Sequence, residues 1–337
     1  MVNLPVIFFF VIAFVWSVFV FLEGFDFGVG MLTRILGRGD DERRMMLRAI
    51  GPNWDANEVW LLTGGILIFS AFPTWYAAAF PSAYIPLLLL VFALIIRALA
   101  IEYRSKRPDH RWTQAWDNAN LVAGFALPFL VGVFWAGMVH GIPIDADGRF
   151  VGDSLWSHIS VYSVLGGLAL VAYSLAHGAV FLSLKVSGPL LERVTMTARG
   201  MSLITLALMS VFAVWTWLAY ADDAIGATIA VLTVLAFAIV VMAVYARRWL
   251  LAFWGNALGA LSFMVSIFAA LYPNVLPSTI DDGFTLTIAE AAASSYALTV
   301  LAIVAVIGIP GVIAYQSWSF WVFRKRLAKD TVDAGHY

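Results

Sequence analysis

The sequence predicts an all-α integral membrane protein with nine transmembrane helices. Three observations lead there. Among 337 residues, 62% are hydrophobic and 12% charged, against roughly a quarter charged in ordinary soluble domains. The apolar residues gather in nine runs, most of them near the roughly 20 residues that a helix needs to cross the hydrocarbon core. The basic residues fall almost entirely in every second connection between those runs, as cytoplasmic loops require.

The runs lie near 5–36, 56–72, 80–103, 117–140, 159–186, 199–220, 225–246, 249–272 and 293–325. The first begins Met1, Val2, Asn3, Leu4, Pro5, with no positive charge and no small-residue cleavage site after it, so it is expected to stay in the mature protein rather than act as a signal peptide. The second has a short apolar core, Val59 to Phe72, behind a polar opening, which suits a helix that starts deep or is partly buried in protein. The loops after the first, third, fifth, seventh and ninth runs hold 18 of the 20 Lys and Arg; Arg149 falls on the other side and Arg97 inside a helix. The N-terminus is therefore expected outside and the C-terminus inside. Asp145, Asp147, Asp153, Asp222, Asp223, Asp281 and Asp282 occupy the opposite loops, and no loop has the length of a separate soluble domain.

Composition also excludes partners and chemistries. A net charge of -1 lacks the basic excess by which proteins displace counterions from nucleic acid. With no cysteine, thiolate metal sites, disulfides and covalent haem attachment through cysteine are all ruled out. The stretch Gly24 to Gly30 reads GFDFGVG inside an apolar helix, not after a strand, so its glycines point to close helix packing rather than nucleotide binding.

A charge at the centre of a membrane helix costs at least ~2.5 kcal/mol, which makes each one a functional candidate. Glu23 and Asp26 lie about 20 Å and 15 Å from the inner end of the first run at 1.5 Å per residue, on one helix face. Asp55 and Glu58 repeat the spacing at the start of the second run. Arg97 lies about one and a half turns above the inner end of the third, and Glu102 and Asp117 mark the inner boundary of the third and fourth. Two readings stand side by side: Arg97 neutralises one or two carboxylates, in an intramembrane ion pair with Asp117, and fixes helix register, or a file of carboxylates relays protons from the cytoplasm. The histidines argue against a haem on this chain. Only His177 lies well inside a run, whereas a six-coordinate haem wants two axial ligands at matching depth. Met209, Met242 and Met264 are conceivable mates, but methionine is common filler in helical cores, and His177 reads as a hydrogen-bonded packing residue.

The order of residues goes further. Glu23 to Leu36 reads EGFDFGVGMLTRIL and Gly37 to Arg48 reads GRGDDERRMMLR; Asn53 to Trp60 reads NWDANEVW; then come Gly64, Gly65, FPTWYAAAF from Phe72, Arg97, EYRSK from Glu102, Trp116 with Asp117, and YPNVLPST from Tyr272. This succession closely resembles subunit II of the cytochrome bd quinol oxidases, from about residue 5 to 325. The resemblance implies two four-helix bundles (1–140 and 155–275), a peripheral ninth helix (290–326) and a cytoplasmic tail (327–337), all one membrane domain. It implies pairing with a like-folded subunit I that carries two b haems, a d haem and the quinol-oxidising loop, with no cofactor on this chain. A structural quinone and a small single-helix subunit occur in the family, and no residue pattern here decides either. The resemblance also gives the matching positions roles: Asp26 and Asp55, with Glu23 and Glu58 beside them, in a proton path, and Trp60 in an apolar oxygen route. Glu23 stands where the family commonly has Asp. The rival readings are a proton-coupled transporter, which would usually show broken helices in both halves, and a purely structural scaffold subunit.

Overall fold

The computed structural model describes residues 3–327. Twelve α-helices dominate it: α1 Leu4–Leu36, α2 Asp40–Ile50, α3 Trp54–Ala71, α4 Pro73–Ser82, α5 Tyr84–Tyr103, α6 His110–His140, α7 Val161–Lys185, α8 Gly188–Tyr220, α9 Ala224–Tyr245, α10 Trp249–Leu271, α11 Ile288–Ala291 and α12 Ser295–Val322. Two short strands, β1 Asn274–Leu276 and β2 Leu286–Thr287, pair antiparallel. Among the described residues, eight helices are long and apolar enough to cross a membrane: α1, α5 to α10 and α12. The expected second run, 56–72, forms α3, but its first turns carry Asp55, Asn57 and Glu58 and hold it below that level of hydropathy. The expected tail 327–337, with Lys329 and His336, lies outside the described residues apart from Leu327.

Local chemistry explains the boundaries. Asn3 caps α1 by accepting from the Val6 N–H, Pro5 sits in its first turn, and Gly37 ends it where a Cβ would meet the Arg43 side chain and the Thr33 carbonyl. Pro73 lacks the N–H to continue α3 and instead opens α4, so FPTWYAAAF forms a short helix between two spans and the third span begins at Tyr84, four residues later than the apolar pattern suggests. Ser160 and Ser163 form a reciprocal cap on α7, and Asp223 caps α9. Three helices exceed the sequence reading: α6 starts at His110, seven residues before its apolar run, and α2 and α8 share one reason. In α2 the cations Arg43, Arg44 and Arg48 share a helix with buried Met45, Met46, Leu47, Ala49 and Ile50, an amphipathic pattern easily taken for a charged loop. In the same way α8 starts at Gly188, with Glu192, Arg193 and Arg199 in its opening turns.

α1 runs through the middle of the protein and packs on α3, α6, α7 and α10. Small residues allow this approach. A Cβ on Gly28 would fall on the Ser174 carbonyl and crowd Gly178, and one on Gly132 of α6 would strike the Gly166 backbone of α7, so the GFDFGVG glycines serve packing. At the end of the molecule that holds the N-terminus of α1, the α6–α7 loop is tied to the segment after α10. The Ile142 N–H donates to the Pro277 carbonyl, the Thr279 N–H to the Ile142 carbonyl and Ser278 Oγ to the Ile144 carbonyl. The YPNVLPST motif is this tie. α12 stands at the periphery, with only Leu298 and Gln316 buried along its length.

Candidate functional site: a buried arginine ringed by carboxylates

Arg97 of α5 is 1% exposed and faces α1 and α3. Its Nη1 donates to Glu23 Oε2 at 2.6 Å and to Glu58 Oε1 at 2.8 Å, and its Nη2 lies 3.7 Å from Asp26 Oδ2. The 23/26 spacing places two carboxylates on the α1 face that meets α5. Phe27 and Trp54 flank the guanidinium, their ring centroids 4.9 Å and 5.9 Å from it, and keep the pairs out of water, where the attraction is strongest. One cation thus meets three acids. Glu23 Oε1, Asp26 Oδ1 and Arg97 Nε are buried without a hydrogen-bond partner among the described residues.

Asp55 does not join the ring. It is exposed, one helical turn before Glu58, so the carboxylates run from an exposed end to a sealed one. Asp117 is the clearest departure from expectation, for it does not pair with Arg97. It is held by Arg104, whose Nε donates to Oδ1 at 2.6 Å, and by Arg43, whose Nη1 donates to Oδ2 at 2.8 Å. The reason is depth: seven residues of helix separate Arg97 from Arg104, about 10 Å along the axis, and Asp117 sits level with Arg104. Arg104 also reaches Asp40 at 2.9 Å, and Glu42 pairs with Arg193 of α8. α2 is thereby strapped to α5 and α6 on one side and to α8 on the other. Burial acts to raise the Glu42 carboxyl, but its bonds from Arg193 and the Arg38 N–H outweigh that and hold it below the usual carboxylate range.

Trp60 is buried, and its Nε1 donates to Gln316 Oε1 of α12 at 2.7 Å. Gln316 Nε2 donates to Asn57 Oδ1 at 2.6 Å, and Asn57 Nδ2 to Asp26 Oδ2 at 2.7 Å. Asn57 and Gln316 were not among the residues singled out from sequence, although an amide inside the apolar run of α12 is a signal in itself. An apolar groove of about 1070 Å³ opens between α3, α4, α5 and α6, with Trp16, Leu61, Gly65, Phe80 and Phe134 in its wall; Trp60 is not among the residues that line it. His177 donates from Nε2 to the Phe21 carbonyl at 3.1 Å, if that nitrogen carries the proton, and packs among Phe21, Phe25, Tyr173 and Phe253. That arrangement is a packing role. Among the described residues no cluster of His, Asp and Glu is arranged to hold a metal ion.

Long apolar helices around an acid-rich ionic centre define a polytopic membrane protein whose interior holds charge. The model of the cytochrome bd terminal oxidase subunit II family matches residues 4–323. The chain belongs to that family, and so is a subunit of a respiratory quinol oxidase. It is 37% identical to the cytochrome bd ubiquinol oxidase subunit 2 of Bacillus subtilis over 97% of this chain and 98% of the relative. It is 29% identical to the cytochrome bd-I ubiquinol oxidase subunit 2 of Escherichia coli over 94% and 93%. The fold matches a chain in the structure of bd oxidase from Geobacillus thermodenitrificans with a TM-score of 0.75, at 19% identity, covering 96% of this chain and all of that one.

Proposed function

We propose that this chain is the subunit that brings protons to a haem-bearing partner in a quinol:oxygen oxidoreductase, without being catalytic alone. The observation that carries the reading is the line Asp55, Glu58, Glu23 and Asp26 around one sealed arginine. Protons enter at exposed Asp55, pass Glu58 and reach Glu23 and Asp26. One guanidinium cannot balance three acids packed against it, so at least one proton is shared among them. A carboxyl oxygen without a donor, as on Glu23 and Asp26, is where such a proton can be held.

In this reading α3 is the ninth span, its polar opening covered by α1, α5 and α12. The two four-helix bundles, 1–140 and 155–275, and the peripheral helix 290–326 make one membrane domain with the N-terminus outside and the C-terminus in the cytoplasm. The haems, two b and one d, and the quinol site belong to subunit I. The groove between α3 and α6 serves as an apolar oxygen route, with Trp60 adjacent in sequence to its wall residue Leu61. Oxidase purified through this chain should carry haem b and d absorption bands; their absence would remove the oxidase reading. Asp26→Asn and Asp55→Asn should slow oxygen consumption while the haems remain present and reducible. Full turnover with unaltered proton uptake would end the relay role of the residue concerned.

A further inference from the structure

The bonds that join Trp60, Gln316, Asn57 and Asp26 have a sense, and it is fixed at one end. An indole N–H can only donate. Trp60 therefore requires the oxygen of the Gln316 amide, which turns the Gln316 NH₂ toward Asn57; Asn57 must then present its oxygen to Gln316 and its NH₂ to Asp26. Amide orientation is usually an assignment made from surroundings. Here a flip of either amide would set donor against donor or acceptor against acceptor. All four residues are buried, Asn57 and Asp26 completely and Trp60 and Gln316 to 2% and 5% exposure, so water does not offer the amides another partner. The last link is Asp26 Oδ2, on which Arg97 Nη2 also bears at 3.7 Å. Asp26 Oδ1 has no partner among the described residues.

We propose that Trp60, Gln316 and Asn57 are positioning residues that force any proton on Asp26 onto Oδ1. A proton on Oδ2 would face the Asn57 N–H and the Arg97 guanidinium, two donors with nothing to accept it. The carboxylate then offers a single exchanging oxygen, always the same one, and the neighbouring group in the line sees its proton in one place. The three residues come from α3 and from α12, whose only other buried side chain is Leu298, so the peripheral helix takes part in the site by supplying the middle amide. This inference rests on Asp26 as a proton carrier and adds to it the atom and the residues that select the atom. If the trio only pinned α12 to α3, the polarity of the amides would have no consequence at Asp26.

The test uses the intact oxidase complex and infrared difference spectroscopy across a pH titration, with the Asp26 carboxyl C=O band identified by its loss in Asp26→Asn. In the parent a single band at the low wavenumber of a hydrogen-bonded C=O is expected, because Oδ2 is the carbonyl oxygen and accepts from Asn57. Gln316→Met keeps the bulk at α12 but frees Asn57 to turn, and Trp60→Phe removes the donor that sets the sense without touching Asp26. Each should add a second band at higher wavenumber, from molecules whose proton has moved to Oδ2 and left Oδ1 as a free carbonyl. In Gln316→Met, turnover should fall by up to about tenfold, the upper end of the effect of losing one neutral hydrogen bond, with haem content unchanged. An unmoved Asp26 band in both variants overturns the proposal, whatever happens to turnover, and so does a parent with no Asp26 band at any pH. Full turnover in Asp26→Asn would instead strike down the proton path, while the band still reads the orientation.

Discussion

Replacing Arg97 by methionine keeps a shorter, unbranched apolar side chain at the acid cluster and takes away its cation. Glu23 and Glu58 lose bonds of 2.6 Å and 2.8 Å, and Asp26 loses a charge at 3.7 Å. Each hydrogen bond to a charged group is worth about 1.5–3 kcal/mol, so the two together reach about 3–6 kcal/mol. That overlaps the about 3–5 kcal/mol typical of breaking a buried ion pair from one side. Glu58 is 21% exposed along its side chain and can turn toward water, whereas Glu23 has no exposure. The larger share of the cost therefore falls on Glu23. Adding Glu23→Gln to Arg97→Met removes the most deeply stranded charge and should return about half of the loss. The assay is the half-life of the purified complex at a fixed temperature, followed by size-exclusion profile and haem spectrum, since large membrane complexes unfold irreversibly. A half-life of Arg97→Met equal to the parent's, or simple additivity of the two substitutions, would refute the reasoning, because residues that share a pair must couple.

Asp117→Asn, at a side chain 1% exposed, takes the carboxylate from Arg43 and leaves Arg104 with Asp40 alone, and should loosen α2 first; faster tryptic cleavage at Arg38, Arg43 and Arg44, ahead of any change in haem spectra, checks it. Gly28→Leu places a side chain on the Ser174 carbonyl and should prevent α1 from seating on α7, at a cost beyond the about 1–3 kcal/mol of ordinary overpacking; complex yield is the measurement. His158, in the α6–α7 loop, shares a hydrogen bond between Nε2 and Ser82 Oγ at 2.8 Å and stacks on Phe134, and burial pushes its imidazole down to about 4. Its folded value lies below the unfolded 6.5, so between those values the unfolded chain binds a proton the folded one does not. Stability should then fall as pH drops from about 6.5 to 4, by at most about 3 kcal/mol, and His158→Gln should flatten that slope in a stability titration.

The spans were legible because apolar length is a coarse signal that tertiary contacts rarely override. Apolar runs placed α1, α7, α9, α10 and α12 to within three residues at each end. α2 and the start of α8 were not, since their charges are paired within the protein, Glu42 with Arg193 and Asp40 with Arg104, while sequence counts them as loop cations. The candidate site was half legible. Glu23, Asp26, Glu58 and Arg97 announce themselves as charges in apolar runs, and the spacing puts each acid pair on one face. Which cation meets which acid is a matter of helix depth across different spans, and this is where the Arg97–Asp117 pairing failed. Asn57 and Gln316 carry no charge, so the cost that flags an acid does not flag them.

The strap formed by α2 also bears on how the protein is made. Asp40, Glu42 and Arg43 leave the ribosome long before Arg104, Asp117 and Arg193, the residues that hold them. During synthesis α2 can rest on α1 at once and pair Asp40 with Arg44, while the cross-helix partners of Asp40, Glu42 and Arg43 have yet to emerge. It gains its first ion pairs to other helices when α5 and α6 have been inserted and its last only when α8 arrives. A nascent chain arrested before residue 193 should present α2 to proteases, and one arrested after α8 should hide it.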